Sequence, residues 1–326
     1  MEKERLVNFV KRFSGKKIAV VGDIVLDSYL FGKVSRVNPE RPGYPLLMVE
    51  KEEFRLGCAA NVGMNLASLG AIVSVYGCIG DDKHGIIIKE MCEKNRIKLK
   101  QVNRETTITK QRWIESTHND YLGSADFGEE KIEPLNESLA NELLNDLIKN
   151  NFEAIILSDY NKGVFKNGFA QKIIEYANSK GIITVVDPKP ANALSFKGAT
   201  LIRPNLSEAQ IIIGEKEQDF EVLARKLKEK VGSKEIVITC GGQGMITYDS
   251  NKGFNHIKTK ARQVIDVTGA GDTVASVLTI SLLAGANLVE AAHIANYAAG
   301  IVVEKMGTAS TTQEELIIRI LSDGEN

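Results

Sequence analysis

Cysteine is scarce: Cys58, Cys78, Cys92 and Cys240 are the four in 326 residues, and they form no C-x-x-C pair. Each sits in an apolar or Gly-rich run, which argues against a disulfide framework and suits reduced thiols in a cytosolic protein. Histidine is as rare; His84, His118, His256 and His293 lack i, i+4 partners and nearby cysteines, so no dedicated zinc site is expected. Neither sign of charge is in excess: 41 Lys and Arg against 42 Asp and Glu give a net charge of -1. No global field then favours nucleic acid or an anionic membrane, and any anion must be held by local groups. No apolar run is long enough to span a membrane. Met1 to Lys17 mixes Lys and Glu with apolar residues and reads as an amphipathic helix, not a signal peptide. The dinucleotide fingerprint G-x-G-x-x-G and the Walker-type G-x-x-x-x-G-K-[ST] are both missing, which disfavours a dehydrogenase and a P-loop kinase.

What is present is an alternation of short apolar runs with helix-like stretches. The runs are Ile18–Val21, Val73–Tyr76, Ala154–Leu157, Ile182–Val186, Leu201–Ile202 and Ile236–Thr239, and continuous apolar strands between helices predict a mostly parallel sheet. Several runs end in polar or Gly clusters: Gly22-Asp23, Ser158-Asp159, Asp187-Pro-Lys189, Arg203-Pro-Asn205 and Cys240-Gly-Gly242. Ligands of open α/β sheets gather at the carboxyl ends of strands, so these clusters are expected to share one crevice. Residues 29–55 and 106–127 break the alternation and read as extra strands, a small lid on one domain spanning 1–326. Trp113, the single tryptophan, falls in the second of these segments; packing in a lid-to-lid interface is expected, with stacking on a sugar as the alternative.

The most informative stretch is Asp266-Val-Thr-Gly-Ala-Gly-Asp-Thr273, followed by an Ala-, Ser- and Leu-rich run of helical composition. A Gly-rich turn opening a helix gathers free backbone N–H groups and the positive end of the dipole, so Gly269, Ala270 and Gly271 are placed to hold phosphates. A carboxylate beside an anion hole repels what the hole binds, unless its task is to take a proton from an incoming hydroxyl. Asp272 is thus either that base or a helix cap, since Asp is favoured at helix starts.

Asp266 to Thr273 resembles the C-terminal signature of the ribokinase-like (PfkB) carbohydrate kinases, whose second acidic residue is the catalytic base. Gly22-Asp23, and Gly57-Cys-Ala-Ala-Asn61 with Asn65, Leu69 and Gly70, resemble the family's N-terminal signature, which contributes to the sugar pocket. Cys58 stands where the family usually has glycine, a change expected to narrow the pocket. Asn205-Leu206-Ser207-Glu208 is similar to the family's N-x-x-E element, in which the Glu organises magnesium-bound water; Mg²⁺ needs only one or two protein carboxylates. Thr239, Gly241, Gly242 and Gly244 resemble its nucleotide-side loop, and Thr268 and Asn296 are assigned to the same side. The resemblance implies a three-layer α/β/α fold with a small β-sheet lid. It further implies ATP and Mg²⁺ as cofactors, room for a monovalent cation such as K⁺, and a homodimer through the lid.

Within the family, the chain resembles the heptose 7-phosphate kinases. The likeness is carried by Ser35–Glu40, Gly70-Ala71, Thr107–Lys110, Leu157–Gly163, Asp187–Lys189, Pro204–Glu208, Asp266–Thr273, Gly300–Val303 with Lys305, and Gly307-Thr308. It implies phosphorylation of the anomeric hydroxyl of D-glycero-D-manno-heptose 7-phosphate, a step toward ADP-heptose and lipopolysaccharide core. Such an acceptor needs cations remote from the base, and Arg36, Lys110, Arg112, Lys162 and Lys189 are the candidates. Asp23, Asp27, Gly57, Asn61 and Asp159 complete the expected substrate pocket. Two segments depart from the subfamily, Arg41–Pro45 and Ser116–Gly128; the latter carries Tyr121-Leu-Gly-Ser124 where an arginine-bearing strand is expected. No H-x-G-H nucleotidyltransferase element follows the last helix, so a stand-alone kinase is expected. The rivals are a kinase of the same fold with another sugar or nucleoside acceptor, and a catalytically silent sugar-nucleotide sensor.

Overall fold

The computed structural model of the chain describes residues 2–41, 43–130 and 132–323, with only the backbone for 35–37. In chain order the strands are β1 (Lys17–Gly22), β2 (Ile24–Val37), β3 (Pro45–Cys58), β4 (Ile72–Gly80), β5 (Lys98–Arg104), β6 (Thr109–Glu115), β7 (Asp120–Phe127), β8 (Ala154–Ser158), β9 (Ile183–Asp187), β10 (Leu201–Ile202), β11 (Glu235–Thr239), β12 (Met245–Asp249) and β13 (Gly253–Ile257). They form a nine-stranded sheet of order β13-β12-β11-β10-β9-β8-β1-β4-β5 and a four-stranded sheet of order β3-β2-β6-β7.

The larger sheet is parallel from β5 to β11, and β12 and β13 close its other edge antiparallel. Every apolar run read from the sequence is one of its strands. Alternation along β1 shows why: Ile18 and Val20 enter the core on one face, Ala19 and Val21 the core on the other. Both faces are covered by helices, as a parallel sheet requires. Helices Ala59–Ser68, Ala270–Leu283 and Leu288–Val302 pack on the first face, and Glu137–Lys149, Phe169–Lys180 and Phe220–Val231 on the second. The observed layers are the expected α/β/α arrangement. β5, β12 and β13 escaped the sequence reading because they lie at or next to the sheet edges, where polar residues interrupt the apolar pattern.

The smaller sheet is made from the two segments that broke the alternation, beginning at Ile24 because β2 leaves the end of β1 after only Asp23. β2 pairs antiparallel with β3 and parallel with β6, and β6 pairs antiparallel with β7. β1 lies between β4 and β8, so the strand order reverses there and a crevice opens at its carboxyl end. Gly22 lies in that crevice because a Cβ would run into the Ser158 carbonyl. Among the described residues no helix is long and apolar enough to cross a membrane.

Candidate active site

Asp272 lies in the first turn of the helix Ala270–Leu283 and is 3% exposed. Gly269 is the N-cap, with φ 77°, and no side chain caps the helix. Capping is therefore not the task of Asp272: its Oδ2 accepts from Asn61 Nδ2 at 2.7 Å and its Oδ1 from the Tyr160 hydroxyl at 2.8 Å. Burial, above all, pushes its pKa up to about 7, aided by the charge of Asp187 and opposed by Asn61, Tyr160 and Arg203. A carboxyl poised near neutrality, with lone pairs to spare on both oxygens, is suited to accept a proton from a hydroxyl. Ala270 bonds its N–H back to Val267, so of the three expected phosphate holders Ala270 already spends its donor. Gly271 approaches so closely that a Cβ would lie 3.0 Å from Arg203 Nη2.

Two other buried acids have structural duties. Asp23 accepts from the backbone N–H groups of Tyr160 (2.8 Å), Lys162 (3.0 Å) and Val164 (3.3 Å), which pins the loop after β8 to the end of β1. Asp159 accepts from Asn161 N, Lys189 N and Asn192 Nδ2. Both were expected to face the sugar, and both fix loops, because orphan backbone donors at a buried crevice need acceptors. Burial raises the pKa of each, against the pull of these donors.

A cleft of about 590 Å³ opens on the β9–β12 side of Asp272. Its walls include Asn205, Glu208, Thr239, Gly241, Gly242, Gly244, Ala270, Gly271 and Asn296 from the sequence reading. Leu206 instead packs into the core, Ser207 is exposed and Thr268 lines a different hollow. Asn296 is held by the Lys258 carbonyl. The N-x-x-E element proves to be a capping box: Asn205 Oδ1 accepts from Glu208 N, and Glu208 Oε2 accepts from Asn205 N. Glu208 Oε1 is left for Lys189 Nζ at 2.7 Å, which places Lys189 in this cleft and not at the acceptor end. Deeper in, Arg203 forms a fully buried ion pair with Asp187, and its Nε has no hydrogen-bond partner. The sequence reading put Arg203 and Asp187 in the shared crevice without giving them a role, gave Tyr160 none either, and missed the apolar wall of Val264, Val267 and Val303. Exposed valines in the stretch before the Gly-rich turn were the signal available.

On the other side of Asp272 stands the smaller sheet. Lys110 and Arg112 lie two apart on β6 and so share a face. Arg112 donates to Asp27 Oδ1 at 2.8 Å, and its guanidinium and that of Arg55 both lie over the Tyr29 ring. Lys162 Nζ lies 2.6 Å from Glu129 Oε1, and Lys110 Nζ lies 3.7 Å from the same oxygen. Gly57 passes Asp27 so closely that a Cβ would sit 2.8 Å from its Oδ2. Cys58 is forced to φ 54°, and its thiol pKa is raised first by burial and then by the charges of Asp272, Asp27 and Asp23. The expected narrowing of the pocket by Cys58 fits this neighbourhood. The Arg36 side chain lies outside the described residues. Trp113 is on the opposite face of β6 from Lys110 and Arg112, donating to Gln111 and lining an outer hollow with Leu30, Leu47 and Leu122.

Asp266 ties the motif together by accepting from Thr268 N and Gly307 N. Arg55 reaches the same loop through the Met306 carbonyl. The site thus joins one buried carboxyl, a Gly-lined cleft and a group of cations on the side of the smaller sheet.

Residues 16–315 match the model described as pfkB family carbohydrate kinase. The chain is 37% identical over 315 residues to the bifunctional protein HldE of Pasteurella multocida, and 38% identical over 317 residues to that of Haemophilus influenzae. These matches cover 95% of this chain but span 65% of the length of each relative. In fold it is similar to Escherichia coli phosphofructokinase-2 in complex with potassium (TM-score 0.77, 18% identity, 94% of this chain and 98% of that one). It is similar also to Arabidopsis thaliana ribokinase complexed with ribose and ATP (TM-score 0.71, 17% identity, 94% and 99%). The chain belongs to the pfkB family of carbohydrate kinases.

Proposed function

We propose that the protein transfers a phosphoryl group from Mg-ATP to the anomeric hydroxyl of D-glycero-D-manno-heptose 7-phosphate, giving the 1,7-bisphosphate on the route to ADP-heptose. The observation that carries this reading is the placement of Asp272 between a Gly-lined cleft on one side and the Lys110 and Lys162 ammonium groups on the other. The cleft fits a nucleotide in two respects. Its walls at Gly241 and Gly242 are open where a Cβ would project, and the buried Arg203 beside the Gly-rich turn has an unpartnered Nε. Glu208, at the rim, would hold the magnesium ion through water, a fit with an ion that keeps most of its waters. No cluster of three metal-ligating side chains occurs among the described residues, and none is needed for such an ion.

When bound, the nucleotide supplies the phosphoryl group and the metal offsets its charge. The chain does the rest. Asp272 takes the proton of the accepting hydroxyl as that oxygen attacks, while Asn61 and Tyr160 keep the carboxylate in place. The Gly269–Gly271 turn and its helix dipole hold the transferring phosphate in line, and Arg203 braces that turn from behind. Lys110 and Lys162 would grip the far phosphate of the acceptor. The outer face of the smaller sheet, with Val49 and Trp113 exposed, would pair two copies into a homodimer. Free thiols at all four cysteines fit a cytoplasmic site.

A second reading has one observation in its favour. Tyr121-Leu-Gly-Ser124 on β7, whose Ser124 is in register with Arg112 of β6, stands where the subfamily likeness leads one to expect an arginine-bearing strand. That loss favours an unphosphorylated sugar or nucleoside acceptor. The test is coupled ADP release with Mg-ATP, with and without K⁺, against heptose 7-phosphates, sedoheptulose 7-phosphate, fructose phosphates, ribose, free heptose and adenosine. Selectivity for a manno-heptose 7-phosphate is expected. Activity on unphosphorylated acceptors alone would keep Asp272 as base and discard the phosphate grip, and ligand binding without any ADP release would leave a sensor.

A further inference from the structure

Tyr160 has no role in the sequence reading, yet three of its groups are engaged at the centre of the site. Its backbone N–H donates to Asp23 at 2.8 Å, the Lys189 ammonium lies 5.1 Å from its ring centroid, and its hydroxyl donates to Asp272 Oδ1 at 2.8 Å. A buried phenol needs an acceptor, and a nearby carbonyl would satisfy that need. Here the acceptor is the base.

We propose that Tyr160 is a positioning residue for phosphoryl transfer: with Asn61 it forms a two-donor clamp that keeps the Asp272 carboxylate ionised and turned toward the accepting hydroxyl. The inference rests on the reading of Asp272 as the base. The two donors arrive from opposite walls. Asn61 is on the helix that continues β3 of the smaller sheet, and Tyr160 is on the loop after β8, itself locked by three bonds to Asp23. Each donor takes one carboxylate oxygen, so neither rotation about the side chain nor protonation of either oxygen is free of cost. A carboxylate accepts both bonds; a protonated carboxyl gives up acceptor capacity on one oxygen. The remaining lone pairs stay open to the hydroxyl.

The other groups that bear on Asp272 are Asp187 from the end of β9, Arg203 from beyond β10 and the Cys58 thiol at the start of the Asn61 helix. Asp187 and Arg203 form their own buried pair, and burial keeps the Cys58 thiol protonated through the working range. Tyr160 and Asn61 are then the neighbours that discriminate between the two protonation states by hydrogen bonding. Removing either donor favours the protonated carboxyl and moves the loss of activity to higher pH.

Tyr160→Phe deletes the hydroxyl and keeps the ring. Turnover is measured from acid to alkaline pH with Mg-ATP and manno-heptose 7-phosphate, or with the best acceptor of the panel. The acid limb should rise by about one pH unit, the size expected for loss of one hydrogen bond to a charged group. Turnover at alkaline pH should return to within a few-fold of wild type, with KM for ATP unchanged. A drop by the same factor at every pH, with the limb in its original place, would overturn the clamp. A carbon-13 titration of the Asp272 carboxyl in the unliganded protein gives an independent reading: an upward move in Tyr160→Phe supports the clamp, and an unmoved titration removes it. Asp272→Asn separates the two levels. If that variant is inactive while the Tyr160→Phe limb stays put, the clamp alone fails; if Asp272→Asn keeps full turnover, base and clamp fall together.

Discussion

The two walls of the active-site crevice are built on different principles. On the larger-sheet wall, Arg203 and Asp187 form a buried pair, and the partly exposed Lys189 is held by a Glu208 that doubles as a helix-capping residue. On the smaller-sheet wall the partly exposed Lys110 of β6 shares Glu129, itself partly exposed, with the buried Lys162 from the loop after β8. A buried pair is stiff because separating it leaves a charge without solvent, whereas a partly exposed one can exchange partners with water or a ligand. The Arg203–Asp187 pair is thus fixed in place, and the contact of Lys110 with Glu129 is adjustable. Asp272 sits where the two walls meet.

The strongest test of this contrast is at the junction. Asp272→Asn should lower turnover by about 10² to 10⁴-fold while ATP affinity stays near wild type, read from steady-state kinetics and nucleotide titration. In the wild type the base must be ionised. With its folded pKa pushed up to about 7, turnover should be high above that pH and fall as pH drops through it. An acid limb near the ordinary carboxylate range would show that Asp272 is not the group titrating.

Next in size is Arg203→Met. It leaves the Asp187 carboxylate buried without its partner, a loss of about 3–5 kcal/mol in urea unfolding. Lys110→Met, by comparison, removes a partly exposed partner of Glu129 and should cost little stability. Its effect should be a rise of about tenfold in KM for a phosphorylated acceptor and none for ATP. Should the two lysine and arginine changes prove equally destabilising, the contrast between walls is lost. The smallest effect belongs to Glu208→Gln. Glutamine keeps part of the capping box but loses the charge facing Lys189, so the magnesium requirement should rise a few-fold with turnover at saturating metal nearly unchanged. An unaltered magnesium titration removes Glu208 from metal binding.

The larger-sheet wall was the more legible from the sequence. Its strands are continuous apolar runs, its loops follow directly from them, and the Gly-Ala-Gly-Asp turn is local, so neighbours in sequence are neighbours in the site. Even there, Asn205-x-x-Glu208 had two meanings, and only coordinates revealed that one oxygen of Glu208 caps the helix while the other faces Lys189. Asp23 and Asp159 looked like sugar ligands because they end strands; the loops that consume their oxygens are set by long-range packing. Tyr160 gave no signal, since its partner Asp272 is 112 residues away.

By itself the sequence determined the layered parallel sheet, through runs of apolar residues that can be buried only on both faces. It also determined the chemistry at Asp272, through a glycine turn that no side chain could imitate. Tertiary structure alone decided which charges neutralise each other, which acid keeps lone pairs free beside the cleft and which face of β6 turns to Asp27. Those outcomes depend on distance and burial, and neither is written in residue order.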